Sequence, residues 1–419
     1  MTAAAEPLQP RTTTRPIVIA TLVGIVAVFG FQALGTRTLG AEAYAPIGQL
    51  WTVYFLGFTM FLLPIEQIVA RRLALASGDL ASLRPLRIPI IATVAVSMAI
   101  SGAFVALTLD DNFGGVTWYI PAAVALAGLN TGFALTRGIT AGQLRLRDYG
   151  ISVASEALAR LLVAAALLAW RPTASSLVLA MLAAAVAGLA GRPWAGSTTR
   201  LAPSPEREGR LLTGLVIGTV AAQVILASGP IVVGFLGGSA VEVSVVFVSF
   251  VLLRGPLTSS YNFLSRILHW VTIEVDEGRT DAVRRRTQRG LAIGAAAAIM
   301  AGASAAWLGP SVVAAIYGAE FRPTSMLMSV GAVGVVVAAG ALFVGLVLIA
   351  THHTRSIAIA WTIALTVMIV GIMAFSGTAP QRFANGFLVG ELAALALLTQ
   401  RAFHHLRAIA IGDERLIVG

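Results

Sequence analysis

The sequence predicts an all-α polytopic membrane protein of about twelve transmembrane helices, in two six-helix lobes around a central cleft. Three observations predict it. First, the chain is 57% hydrophobic and only 11% charged, with a mean hydropathy of +0.86, so a water-facing surface would have to expose most of its apolar residues. Second, the apolar residues fall in blocks of roughly 18 to 27, the length that crosses about 30 Å of hydrocarbon at about 1.5 Å per residue. Third, the arginines between these blocks are distributed unevenly between alternate sides.

Taken in order, apolar blocks bounded by charged or Pro/Gly breaks place spans at 16–36, 44–70, 88–109, 117–141, 150–170 and 174–191. A second set follows at 211–235, 241–268, 290–308, 324–350, 355–375 and 383–402. The polar start, MTAAAEPLQPRTTTRP, carries no small-residue cleavage site after its first apolar block, so that block reads as a retained helix. Only Arg171-Pro172 separates the fifth and sixth spans.

All 29 basic residues are Arg, and their placement assigns the net charge of +10 to topology. On one side of the twelve-span arrangement lie 22 arginines; the other has Arg37, Arg171, Arg322 and Arg382. Arg near span ends is retained in the cytoplasm, so both termini are expected on the cytoplasmic face of the cell (plasma or inner) membrane. Adding or removing one middle span would scramble the alternation. The absence of Cys leaves no disulfide framework or thiolate metal site.

The longest middle connector on the Arg-rich side, 192–210, contains PSPERE and divides the chain. The expected organisation is a cytoplasmic tail 1–15, a first lobe 16–191, the linker 192–210, a second lobe 211–402 and a tail 403–419. The lobes share a faint repeat. LGTRTLGAEAYAPIGQLW (34–51) and VGFLGGSAVEVSVVF (233–247) each close a span with Leu-Gly and open the next near Glu42 or Glu242. Each following helix carries a proline, Pro64 or Pro256, before an arginine, Arg71 or Arg266. An even number of spans per half makes these parallel repeats about an axis along the membrane normal.

The segment 33–74, ALGTRTLGAEAYAPIGQLWTVYFLGFTMFLLPIEQIVARRLA, resembles the first hairpin of the multidrug/oligosaccharidyl-lipid/polysaccharide (MOP) exporter superfamily, especially its polysaccharide-transporter branch. PSVVAAIYGAEFRPTSMLM (310–328) is similar to the connector before the tenth helix in these proteins. The usual glycine after the aromatic is here Ala45, with Gly48 three residues on. The resemblance implies two six-helix bundles, alternating access and export of lipid-linked glycan precursors of cell-surface polymers.

Arg254 lies near the middle of the eighth span, where insertion costs at least about 2.5 kcal/mol, so it is expected to face a polar cavity or a partner. Its paired donors suit the pyrophosphate of an isoprenoid-linked glycan. Gly255-Pro256 follows and permits a kink. Asn130 and Arg137 share a face of the fourth span, with Thr136, Thr140 and Gln143 nearby. Gln32, Arg37 and Gln223 lie on helices that line the cavity in the resembled family. Arg254, Arg37, Arg137, Asn130, Gln32 and Gln223 are therefore the candidate substrate contacts.

Glu66, Glu156 and Glu391 are the candidates for ion coupling. Glu66 lies close to Arg71 and Arg72, which offer a plain salt bridge. Glu156 and Arg160 are spaced for an ion pair within one helix. Glu391 is a deep carboxylate with Arg254 or Arg160 as possible partners. The glycine pairs Gly214/Gly218, Gly234/Gly238 and Gly290/Gly294 read as close helix packing.

An enzyme is disfavoured. His269, His352, His353, His404 and His405 all sit at span edges, and no HExxH, GxSxG, P-loop or acidic metal cluster occurs. No cofactor or metal is expected. The run at 284–289 is too short for a folded nucleic-acid surface and suits anionic lipid instead. The expected partners are a lipid-linked glycan substrate, membrane lipid and glycan-synthesis enzymes. Two rival readings are a cation-coupled small-molecule antiporter of the same fold and a non-transporting scaffold for envelope synthesis.

Overall fold

The computed structural model describes residues 15–76, 78–193, 209–351 and 353–410, and every long element among them is a helix. The tail before residue 15, most of the 192–210 linker and the last nine residues lie outside the described residues. The helices are α1 (Arg15–Gly57), α2 (Leu63–Leu75), α3 (Arg87–Leu107), α4 (Leu109–Phe113), α5 (Tyr119–Gly142), α6 (Leu146–Trp170) and α7 (Ala174–Ala187). They continue with α8 (Gly209–Ala227), α9 (Gly229–Phe235), α10 (Ala240–Asp276), α11 (Thr280–Tyr317), α12 (Ser325–Ala350), α13 (Thr354–Ala374) and α14 (Ala379–Ala410). Ten helical stretches among the described residues are long and apolar enough to cross a membrane, and the bent pair α8–α9 makes an eleventh. The first stretch, Val18–Leu73, is 56 residues long and holds two of the expected spans.

Its division falls at Gly40, whose φ of 81° leaves the helical region, so the Leu39-Gly40 signal marks a real break. Pro46 follows inside the next helical turns, and a π-helical turn, Phe58–Leu62, precedes Pro64. A proline removes the donor for the carbonyl four residues back, and the widened turn absorbs that loss. Arg171 is extended ahead of Pro172, so α6 and α7 are separate helices.

Several helices outrun their apolar blocks. α10 has 37 residues, α11 has 38 and α14 has 32, longer than the roughly 20 that hydrocarbon requires. The extensions at the start of α11 and the end of α14 are rich in Arg and Ala, which favour helix without needing lipid. Arg254 lies one turn before the middle of α10. A Ser239–Glu242 capping box starts that helix, which gives the acidic turn a local role.

The chain packs as two compact units, each with its own interior. The first comprises Met1–Phe31, Phe61–Gly102 and Val124–Ser204. Within it α5 lies against α2 so closely that a Cβ on Gly142 would stand 2.6 Å from the Ala70 carbonyl oxygen. The hydroxyls of Thr136 and Thr140 donate back to the carbonyls of Gly132 and Thr136, which satisfies them inside lipid.

The second unit comprises Gln32–Met60, Ala103–Ala123 and Pro205–Gly419. Its interior centres on Phe250, whose ring lies 5.1 Å from that of Phe383 and 5.3 Å from that of Phe387. Small residues bring the helices together: a Cβ on Gly334 would meet Phe387, and one on Gly386 would meet Ile372. Gly218 packs in this way against Ile357, whereas Gly290 and Gly294 have nothing within 4 Å and are not a packing pair among the described residues.

Candidate functional site

Two constellations gather the polar residues that the apolar blocks cannot explain. In the first unit, α2 presents Glu66 two residues after Pro64, and α5 presents Arg137. Their carboxylate and guanidinium meet at 3.0 Å, with only 10% and 19% of the two side chains exposed. Tyr149 on α6 accepts a 2.9 Å hydrogen bond from Arg137 Nη2. The guanidinium also lies 5.3 Å from the Phe133 ring centroid and 5.4 Å from that of Tyr149. The partner of Glu66 is therefore Arg137 rather than Arg71 or Arg72, since helix packing brings α5 against this face of α2. Glu66 Oε2 has no hydrogen-bond partner among the described residues. An ion pair of this kind links two charges. Protonating Glu66 would remove the charge–charge attraction of the pair.

Asn130, two turns before Arg137, is buried and donates to the Leu126 carbonyl at 2.7 Å. Gln143 donates to the Gly78 carbonyl and ties α5 to the turn after α2. Glu156 and Arg160 form the intrahelical ion pair that their spacing predicts, and both are buried.

In the second unit, the placement of Arg254 follows from a proline on a neighbouring helix. α8 and α9 meet at a 65° bend, with Pro230 in the first turn of α9. A proline at 230 cannot donate to the carbonyl of residue 226. Arg254 Nη1 donates to that Leu226 carbonyl at 3.2 Å, and its Nε donates to the Phe250 carbonyl at 3.0 Å. The guanidinium lies 5.6 Å from the Phe55 ring centroid. Arg254 is half-buried, and Gln223 lies buried one turn before Leu226. The bend thus exposes a carbonyl, and the carbonyl orients a cation.

Gln32 is buried and accepts a hydrogen bond from Tyr44. Arg37 is exposed and donates to the carbonyls of Ala315 and Ile316, closing the C-terminal end of α11. The same unit joins Gln49 to the Pro230 carbonyl at 2.9 Å and Ser244 to the Ala41 carbonyl at 2.6 Å. Glu391 on α14 is fully buried, and among the described residues neither of its carboxylate oxygens has a hydrogen-bond partner.

Tyr149, Phe55 and the Leu226 carbonyl escaped the sequence reading. Pro230 held the one available signal, since it frees the carbonyl four residues back. His353 and His405 stack with ring centroids 3.5 Å apart at the Arg-rich end. Among the described residues no three His, Cys, Asp or Glu side chains come together as metal ligands.

No family model and no curated protein sequence matches the chain. Solved structures do match in fold. A multidrug resistance MATE family transporter of the MOP superfamily in an inward-facing conformation aligns with a TM-score of 0.70 at 11% identity, over 94% of this chain and 99% of that one. An outward-facing structure of a MATE family transporter of the MOP superfamily aligns with a TM-score of 0.61 at 12% identity, over 95% of each chain. A MATE transporter of Vibrio cholerae, in a mutant form, aligns with a TM-score of 0.54 at 13% identity, over 97% of this chain and 98% of that one. The fold is that of MATE transporters.

Proposed function

We propose that the protein is a transporter that moves a lipid-linked oligosaccharide or polysaccharide precursor across the cell membrane by alternating access. Likeness of fold to MATE transporters along nearly the whole of both chains supports transport. The observation that carries the substrate class is Arg254, a guanidinium oriented by two backbone carbonyls and a phenylalanine face inside an apolar helix. Its paired donors fit the phosphate head of an isoprenoid lipid, while the isoprenoid tail stays in the bilayer. Rocking of one half of the chain against the other would then present the sugar on the far side. The first-hairpin resemblance at 33–74 points the same way.

A second reading is a cation-coupled small-molecule antiporter. The neighbours described as multidrug transporters and the buried carboxylates Glu66 and Glu391 favour it. A deletion strain separates the two. On the glycan reading it accumulates lipid-linked glycan on the cytoplasmic face, and wild type but not Arg254→Ala clears it. On the antiporter reading the glycan pool is unchanged, and the strain retains a cationic dye that wild type expels.

A further inference from the structure

The stretch Gln32–Met60 lies in the first half of the sequence, yet it packs as part of the second compact unit. It leaves that unit inside the π-helical turn Phe58–Leu62, where Phe61 already belongs to the first. A widened turn of this kind interrupts the regular hydrogen bonds of a helix and is a common place for it to bend. The contacts that fasten the stretch gather at its arginine-poor end. They join the two segments, 33–74 and 310–328, that carry the family resemblance.

The contacts form two layers. The inner one is mostly apolar: Tyr44 is 0% exposed, and its ring lies 6.1 Å from that of Phe247 and 6.3 Å from that of Phe321. A Cβ on Gly48 would stand 3.2 Å from the Phe247 ring, so α1 meets α10 with no room to spare. At Gly40, where α1 breaks, the Glu320 carboxylate occupies the place a side chain would take. The outer layer is Arg37. α11 stops at Tyr317 and the Gly318 amide turns back to the Ala314 carbonyl, so the carbonyls of Ala315 and Ile316 lie past the last helical donor. Arg37 supplies both donors, Nε to Ile316 at 2.9 Å and Nη2 to Ala315. Its charge also suits the negative end of that helix.

The two layers differ in what it takes to part them. Arg37 is exposed, so water can replace it on the carbonyls and the carbonyls on it, and the exchange is close to even. The buried Tyr44 contacts have no such substitute. A pair of charge-assisted bonds at the surface can therefore bias a seam and still let go of it. We propose that Arg37 is a gating residue: its hold on the end of α11 keeps Gln32–Met60 fastened to the rest of the second unit on the arginine-poor side, and that side opens when the hold is released. This gives Arg37 to the gate rather than to the substrate. A substrate contact sets how tightly a molecule binds; a latch sets how often the side stands open. The inference rests on the transport reading for its purpose.

The chain has no Cys, so spin labels can be placed on it without removing any native residue. One pair, Thr38→Cys with Ala315→Cys, spans the latch, and a second, Ala43→Cys with Met326→Cys, spans the seam beyond it; all four positions are exposed. Distances between the labels are read by electron paramagnetic resonance on the full-length protein in lipid vesicles. With Arg37 present, both pairs should show a short distance. Arg37→Ala should raise the ratio of long to short in both pairs by about tenfold, the weight of one charge-assisted contact. Arg37→Lys, which keeps the charge without the paired donors, should fall between. Three results overturn the proposal: distances already long with Arg37 present, an unchanged ratio in Arg37→Ala, or a change confined to the latch pair, which is local fraying. No transported molecule enters the measurement, so its failure leaves the glycan reading standing, and failure of that reading leaves the distances intact.

Discussion

The Glu66 carboxylate lies 3.0 Å from the Arg137 guanidinium, joining α2 to α5 through a pair almost shut off from water. Removing one member strands the other. Arg137→Leu or Glu66→Leu is expected to cost about 3–5 kcal/mol, whereas the double apolar replacement recovers most of that loss. Thermal unfolding of the four proteins in detergent, read as a double-mutant cycle, measures the coupling. Additive losses would show that the two charges are held independently.

The two kinds of glycine in the structure predict opposite outcomes. A Cβ on Gly142 meets the backbone of Ala70 at 2.6 and 3.0 Å, so Gly142→Ala must push α5 from α2 and is expected to destabilise by about 1–3 kcal/mol. Gly290 and Gly294 have open space around them inside α11, so alanine there is expected to stabilise by about 0.5–1 kcal/mol each. Melting temperatures of the three single variants show whether the signs differ as stated.

Beyond the spans, Glu274 accepts hydrogen bonds from Arg279 at 2.8 Å and Arg286 at 3.1 Å. These partners, Arg279 first, hold its carboxyl below the usual glutamate range. A depressed folded value means that the stabilisation is whole above the ordinary value of about 4.3 and is lost as pH falls through the lower folded one. Wild type should therefore melt higher than Glu274→Gln at neutral pH, and the gap should close on acidification below the ordinary glutamate value. A gap that persists or widens in acid would have the wrong sign.

Pro230 is expected to orient Arg254 by leaving the Leu226 carbonyl without its helical donor. In Pro230→Ala the restored amide competes for that carbonyl and the bend relaxes. The variant should stay folded and lose transport as Arg254→Ala does, most visibly as a weaker apparent affinity. Unchanged affinity in Pro230→Ala would separate the bend from the arginine.

How far these features could be read beforehand depends on the range of the force behind them. The bilayer acts on every residue of a span, so helix number and the break at Gly40 were legible from apolar length and one Leu-Gly signal. Glu156 and Arg160 were legible too, because four residues along a helix fix which side chains meet. Helix ends were not, since the arginine-bearing start of α11 and end of α14 stay helical without lipid. Glu66 and Arg137 were each singled out, but their meeting depends on the Gly138 and Gly142 seam between two helices, which no single-helix pattern encodes. Arg254 stood out by its cost in lipid. Its hydrogen bond to Leu226 needed the α8–α9 bend.

Transport of a lipid-linked glycan is tested most directly in vesicles. The purified protein is reconstituted with a fluorescent isoprenyl-diphosphate oligosaccharide, and a membrane-impermeant quencher reports how fast label reaches the outer leaflet. Wild type should move it faster than protein-free vesicles, and Arg254→Ala should be slower by about tenfold or more, the loss of one charge-assisted contact. Label that crosses no faster than in protein-free vesicles, or equally fast with Arg254→Ala, would contradict the account.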